Sequence, residues 1–272
     1  MAQHLTFYRY HALGNDYLVM PAHENRGLGT VPASDDIVRI CHRHFGLGSD
    51  GILWGLPGQD GADFAVRIFN PDGSEAEKSG NGLRIFCRYL FDSQQVNHQE
   101  FSVWTLGGVV KAQVFEQGQT IRIAVGQARF EPAVTLAVAG QQLQVLPVNV
   151  GNPHCVLPVP KASAEQAKQL GAVLEVHPHF PQRTNVQFLE VIDRDNIRIE
   201  IWERGAGYTL ASGTSSCACA AVARKMGWVN ARVTVHMPGG QLLLDIDDNF
   251  HLTMTGPVTR VASGQLYPEC LI

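Results

Sequence analysis

The stretch from Asn70 to Leu90, NPDGSEAEKSGNGLRIFCRYL, runs from a polar turn through Ser79-Gly80-Asn81-Gly82 into an apolar run with helical spacing. A second stretch, LASGTSSCACAAVARK, starts at Leu210 and sets Ser212-Gly213-Thr214 in the same relation to a following helix, 133 residues after Ser79. Serine ahead of small residues and a periodic apolar run is the signature of a helix N-terminus. Further landmarks recur in the same order: Gly14-Asn15 answers Gly151-Asn152 at an offset of 137, the segment around Asp50 answers that around Asn185 at 135, and RIFN ending at Asn70 answers RIEIWE ending at Glu203 at 133. Half the chain is 136 residues. Four ordered matches at nearly one spacing point to a duplicated domain. Turn residues place the boundary near Phe130–Pro132.

A chain of 272 residues with 45% hydrophobic content can bury a large core in one big domain or two ordinary ones. The net charge of -4 comes without a basic run, which argues against nucleic acid and anionic membranes as partners and for a small molecule. No segment approaches 18 consecutive apolar residues and the N-terminal stretch lacks the order of a secretion signal, so a cytoplasmic protein is expected. The six cysteines include no Cys-x-x-Cys pair and are expected to be reduced, several of them in the core.

Alternating apolar patterns predict strands at Phe64–Phe69, Thr120–Val125, Leu143–Val150 and Ile197–Trp202. Helical patterns are fewer, at Asp35–Phe45, Gly82–Asp92, Ala162–Glu175 and Ser215–Gly227, the last stopped by its glycine. The class is α+β, dominated by sheet, with one long helix in each half.

Helix N-termini carry unsatisfied N–H groups and the positive end of the helix dipole. Gly80-Asn81-Gly82 and Gly213-Thr214-Ser215 are therefore candidate anion cradles, with Ser79 and Ser212 presented to whatever binds. The plain alternative is that both serines are N-caps. Nucleotide motifs are missing, whether the phosphate-binding Gly-x-x-x-x-Gly-Lys-Ser/Thr or Gly-x-Gly-x-x-Gly in a βαβ unit. The eleven histidines form no His-Glu-x-x-His, and Cys217 and Cys219, two apart on a helix, point away from each other, so no metal and no cofactor are expected. His154, in the turn equivalent to Asn15, is a candidate polar group of the site.

HALGNDYLV, RHFGLGSDGILW, FNPDGSEAEKSGNGLR, VGNPHCV, RTNVQF, ERGAGYTLASGTSSCACA and HMPGG together resemble the diaminopimelate epimerases, pyridoxal-independent amino-acid epimerases, along almost the whole chain. The resemblance implies two pseudo-symmetric domains, each a mixed or antiparallel sheet around a central helix, with the active site in the interdomain cleft, and a homodimer. The expected divisions are 1–129, 130–261 and a tail, 262–272, returning to the first half. In the family two cysteines, one at each helix mouth, serve as thiolate base and thiol acid on the two faces of the α-carbon. Both positions are serine here, Ser79 and Ser212. By resemblance, Asn15, Gly80, Asn81, Gly213 and Thr214 hold the reacting end, and Asn70, Asn152, Asn185, Glu203 and Arg204 read the distal amino-carboxylate end. His154 and Glu203 flank the catalytic serine positions.

A serine hydroxyl is far less acidic than a thiol, so the Ser/Ser pair keeps the shape of the site and removes its ordinary base. Lys78 in place of a usual Met, Ser215-Ser216 in place of Gly-Ala and Tyr208 in place of Glu or Pro favour natural divergence over a bare Cys→Ser pair. Three readings stay open. The first is an isomerase moving the α-proton of LL- and meso-diaminopimelate in lysine and cell-wall precursor synthesis, with ordinary two-base epimerisation slow or absent without thiols. The second is a racemase or lyase on another amino acid, and the third a catalytically silent amino-acid-binding paralogue.

Overall fold

The structure is a computed structural model describing residues 4–271. The chain divides into two compact units, Met1–Ile123 with Gly256–Ile272, and Ala124–Thr255.

In the first unit the order is β1 (Leu5–Ala12), β2 (Asn15–Pro21), α1 (Ser34–Cys41), β3 (Ile52–Pro57), β4 (Phe64–Phe69), β5 (Glu75–Ala76), α2 (Gly80–Asp92), β6 (Phe101–Thr105), β7 (Gly108–Phe115) and β8 (Thr120–Gln127). β1 and β2 are antiparallel, β2 and β3 parallel across α1, β3, β4 and β5 antiparallel, β4 and β6 parallel across α2, and β6, β7 and β8 antiparallel. Parallel neighbours need a crossover, and each crossover here is a helix. α2 is buried on nearly every side from Asn81 to Leu90 and packs against β1, β2, β3 and β7.

The second unit holds β9 (Arg129–Phe130), β10 (Val134–Val138), β11 (Gln141–Asn149), β12 (Pro153–Pro158), α3 (Ala164–Glu175), β13 (Asn185–Val191), β14 (Asn196–Glu203), β15 (Gly207–Thr209), α4 (Gly213–Lys225), β16 (Arg232–Met237), β17 (Gly240–Ile246) and β18 (His251–Pro257). Its pairings repeat those of the first: β11 and β12 antiparallel, β12 and β13 parallel across α3, β13, β14 and β15 antiparallel, β14 and β16 parallel across α4, and β16, β17 and β18 antiparallel. Its central helix α4 is rich in Ala and Cys, small side chains that let β11 to β14, β16 and β17 pack closely around it. Finally β19 (Thr259–Leu266) pairs antiparallel with β1 and completes the first unit.

The four strand runs and four helices read from periodicity are all present. One helix is shorter than the pattern suggested: α1 ends at Cys41, not Phe45. Ile37, Ile40 and Cys41 complete its buried face, whereas Phe45 is 84% exposed. The chain then doubles back so tightly that a Cβ on Gly46 would lie 2.0 Å from the Arg39 carbonyl oxygen, which only glycine permits.

Candidate active site

The register makes the two units comparable residue by residue. Leu18 pairs with Ile52 and Ile52 with Phe69 in the first; Cys155 pairs with Val186 and Val186 with Trp202 in the second. Tyr17 therefore answers His154, Leu53 answers Gln187, and Asn70 answers Glu203.

At the first helix mouth, Ser79 is extended and its Oγ accepts the Gly82 N–H at 3.0 Å, so it is an N-cap. The Tyr17 hydroxyl lies 3.4 Å from the same oxygen. A Cβ on Gly82 would approach Leu53 Cδ2 to 3.0 Å and the Ser79 side chain to 3.2 Å, so a larger residue there would have to push Leu53 or the cap aside. Asn81 Nδ2 donates to Asn15 Oδ1 at 3.1 Å, and Asn15 Nδ2 donates to Asp50 Oδ2 at 2.9 Å. The fully buried Arg84 donates to Asn81 Oδ1 at 2.9 Å and to the Gly80 carbonyl at 3.2 Å. Asn15, Gly80 and Asn81 are thus gathered at the Ser79 mouth. Asn70 is engaged elsewhere, its Nδ2 donating to Ser74 Oγ at 3.0 Å in the β4–β5 turn.

The second mouth has different chemistry. Ser212 also caps its helix, accepting the Ser215 N–H at 3.5 Å, but its hydroxyl donates to Glu203 Oε2 at 3.2 Å. The other Glu203 oxygen accepts from Thr209 Oγ1 at 2.7 Å. Burial pushes the Glu203 carboxyl above its ordinary value, against the two hydroxyl hydrogen bonds that favour the charged form. Gly213 and Thr214 form the first turn behind Ser212.

Beside this mouth, His154 is buried with Nε2 2.9 Å from Asn152 Oδ1. Burial pushes its pKa down to about 3; the nearby Gln187 carboxamide opposes that shift and the positive charge of Arg204 adds to it. At neutral pH the ring is uncharged. Asn185 bridges two strands, donating to the Pro153 carbonyl at 2.9 Å and accepting the Arg204 N–H at 3.1 Å. The exposed Arg204 guanidinium donates to the Gln182 carbonyl at 3.2 Å.

Three contributors escaped sequence reasoning. Thr209 reaches Glu203 because β15 folds back on β14, a long-range consequence of the hairpin. Tyr17 carried a usable signal, since the offset of 137 that joins Asn15 to Asn152 also joins Tyr17 to His154. Glu175, at the end of α3, gave none. It accepts from Trp202 Nε1 at 2.7 Å, from the Gly205 N–H at 2.7 Å and from Arg183, and so clamps the Arg204 loop. Among the described residues no group of three or more His, Cys, Asp or Glu side chains could share a metal ion. No helix among them is long and apolar enough to cross a membrane.

Residues 7–131 and 146–261 match the family model described as diaminopimelate epimerase. The chain belongs to the diaminopimelate epimerase family. A protein named diaminopimelate epimerase 2 from Nostoc sp. (strain PCC 7120) is 47% identical, over 97% of this chain and 96% of its own. Diaminopimelate epimerase from Synechocystis sp. is 40% identical, over 96% of this chain and 98% of its own. Solved structures with the same fold include a hydroxyproline epimerase from Agrobacterium vitis (TM-score 0.73, 17% identity, 97% of this chain and 92% of that one). A phenazine biosynthesis protein of the PhzF family from Bacillus anthracis has a TM-score of 0.74 at 16% identity, covering 97% and 99%. These likenesses show the α+β epimerase fold, and with family membership they make the chain an isomerase of the diaminopimelate epimerase type.

Proposed function

We propose that the protein binds diaminopimelate and exchanges its α-proton without a cofactor, with the mouths at Ser79 and Ser212 taking the places of the family's two cysteine mouths. The amide groups around Gly80-Asn81 and Gly213-Thr214 receive the α-carboxylate, as helix N-termini favour anions. Asn152, Asn185 and Arg204 take the distal amino-carboxylate end, Arg204 offering a fork to its carboxylate. By the same family resemblance the protein works as a homodimer in the cytoplasm, in lysine and cell-wall precursor synthesis.

Chemistry at Ser212 needs a base other than serine itself. In the proposed step the α-hydrogen passes to Ser212 Oγ as the hydroxyl proton passes to Glu203 Oε2. The electron pair left on carbon is delocalised into the carboxylate held by the helix mouth. Reversal returns a solvent-derived proton. The single observation behind this relay is the Ser212–Glu203 hydrogen bond, with Thr209 fixing the far carboxylate oxygen. Burial brings the Glu203 pKa closer to working pH, where general bases are most effective.

Ser79 has a phenol, not a carboxylate, as its side-chain neighbour. Exchange at the Ser212 side should therefore outrun inversion. Incubating LL- and meso-diaminopimelate with the protein in deuterium oxide, and following mass and stereochemistry together, should show label uptake exceeding interconversion, and both should rise in Ser79→Cys/Ser212→Cys. No uptake by the wild type and no gain in the double variant would remove this reading. The capping roles of both serine oxygens favour a second reading, a silent amino-acid binder. Calorimetric binding of diaminopimelate with no label uptake would select it.

A further inference from the structure

Behind the Ser79 mouth a line of side-chain hydrogen bonds runs from a buried cation to a carboxylate. Arg84, fully buried in the second turn of α2, donates to Asn81 Oδ1 at 2.9 Å. Asn81 Nδ2 donates to Asn15 Oδ1 at 3.1 Å, and Asn15 Nδ2 donates to Asp50 Oδ2 at 2.9 Å. Asp50 is fixed in its turn: Oδ2 accepts the Asp16 N–H at 3.1 Å, Oδ1 accepts from Arg43 at 2.6 Å, and its own N–H donates to the Asp16 carbonyl at 2.9 Å.

The two ends decide how the amides between them stand. A guanidinium only donates, and an ion-paired carboxylate only accepts. Asn81 must turn its oxygen to Arg84 and its nitrogen to Asn15. Asn15 must then turn its oxygen to Asn81, which leaves its nitrogen for Asp50. Reversing either amide sets donor against donor on one side and acceptor against acceptor on the other. The orientation demanded by Arg84 and that demanded by Asp50 are the same. Each amide nitrogen keeps a second hydrogen, the group an anion needs, and Asn15 is only half-buried.

The frame itself does not require this line. At the equivalent places in the second unit stand Asn152, Thr184, Thr214 and Cys217. There Asn152 Oδ1 meets His154 at 2.9 Å, Thr184 Oγ1 donates to the Asn185 carbonyl at 3.2 Å, and Gln187 Nε2 lies 3.0 Å from Ser215 Oγ in the interior behind the mouth. Burying a guanidinium is costly, and α4 holds a cysteine at that place.

We propose that Asp50 is a positioning residue: opposite Arg84 it locks Asn15 and Asn81 in one amide orientation, so that the first mouth meets an anionic ligand with N–H donors. The orientation stands on the hydrogen-bond line alone; its use in binding rests on Asn15 and Asn81 belonging to the proposed site.

The test exchanges the two groups at the carboxylate end. Asn15→Asp alone sets two carboxylates against each other, whereas Asn15→Asp/Asp50→Asn gives the carboxylate at position 15 a donor on each side. Thermal unfolding of the full-length protein at neutral pH without ligand should show a large fall in midpoint for Asn15→Asp and a small one for Asp50→Asn. The double variant should be more stable than Asn15→Asp. A double variant no more stable than Asn15→Asp, or one that does not fold, overturns the locked orientation. If Asn15→Asp does not fold, a folded double variant is itself the rescue. Calorimetry with diaminopimelate reads the ligand side. Asp50→Asn, whose amide can turn either end to Asn15, should weaken binding about tenfold, the worth of one hydrogen bond to a charged group. The double variant should not bind, because it keeps the fold but presents a carboxylate to an anion. Wild-type affinity in either variant overturns the positioning role. Absence of binding by the wild type counts against the proposed function alone, and the unfolding cycle still decides the orientation.

Discussion

The two helix mouths share a backbone plan and differ in what fills it. Around Ser79 the equivalent positions are Tyr17, Leu53, Asn70 and Gly82; around Ser212 they are His154, Gln187, Glu203 and Ser215. The first set is neutral, and Leu53 packs without a polar group to satisfy. The second places a carboxylate on the capping hydroxyl and an imidazole and carboxamide in the dry interior behind it. The pairing that β2, β3 and β4 share with β12, β13 and β14 therefore fixes where a side chain stands, while a few substitutions decide whether that place can handle a proton. The backbone plan is kept in both halves, while the carboxylate and the imidazole stand in one.

That asymmetry is broken most forcefully by restoring thiols. Ser79→Cys/Ser212→Cys should raise α-deuterium exchange of diaminopimelate by about 10²-fold or more, the range a positioned acid–base group contributes. Most of the gain in interconversion should come from Ser79→Cys, because the Ser212 hydroxyl already has a carboxylate partner in Glu203. Glu203→Gln should lower wild-type exchange by about 10²-fold. The same change should not destabilise the fold. A carboxylate whose folded pKa is raised binds its proton more tightly folded than unfolded, so stability declines as pH rises through that window and the buried charge is a cost at pH 8. Thermal unfolding at pH 8 checks this, and a Glu203→Gln variant both inactive and markedly less stable would mean a structural role.

How much of this could be read from the chain depends on range. The serines, the glycines behind them and the four helices are local patterns, visible as spacing and periodicity. The duplicated order of strands was visible through Asn15/Asn152 and Asn70/Glu203. The Gln187–Ser215 contact was not, because it joins residues 28 apart through a strand register that periodicity does not encode. Asn70 shows the opposite case: its place in the pattern marked it for the site, while its side chain is bonded to Ser74 within its own turn. Glu175 lies on the last turn of an ordinary amphipathic helix, and only the return of β14 toward α3 gives it Trp202 and Gly205 as partners.

Transplanting one filling into the other frame is the next sharpest comparison. Leu53→Gln alone should cost about 3 kcal/mol, from lost apolar burial and an unsatisfied carboxamide. Gly82→Ser alone pushes a Cβ against Leu53 and the cap and should also destabilise. The pair Leu53→Gln/Gly82→Ser recreates the partners found in the second unit and should recover about 1–2 kcal/mol relative to additivity. Denaturant unfolding of the four-member cycle measures the term, and strict additivity would show that the frames are not interchangeable. A smaller loss, about 1–3 kcal/mol, is expected for Glu175→Gln, which keeps the shape but removes the charge on which three donors converge. Burial works against ionisation of Glu175, but Trp202, Gly205 and Arg183 outweigh it and hold the carboxyl below its ordinary value. Its contribution is therefore present above the unfolded pKa and is lost as pH falls through the folded one, so the Glu175→Gln deficit should shrink in acid.

The smallest effect separates His154 from its counterpart Tyr17. With its folded pKa pushed down to about 3, His154 binds fewer protons in the folded state than in the unfolded state once pH drops below the ordinary histidine value. Stability should then be fully present above about pH 6.5 and fall by up to about 1.4 kcal/mol per pH unit as pH decreases toward 3. Glu203 acts with the opposite sign, gaining stability as pH falls through its raised pKa, so the two partly cancel in the wild type. Comparing Glu203→Gln with Glu203→Gln/His154→Gln between pH 7 and 5 removes the cancellation. The single variant should lose stability toward pH 5 faster than the double. Parallel curves would mean that the imidazole can take up a proton where it stands, and the dry interior ascribed to the second mouth would have to be given up.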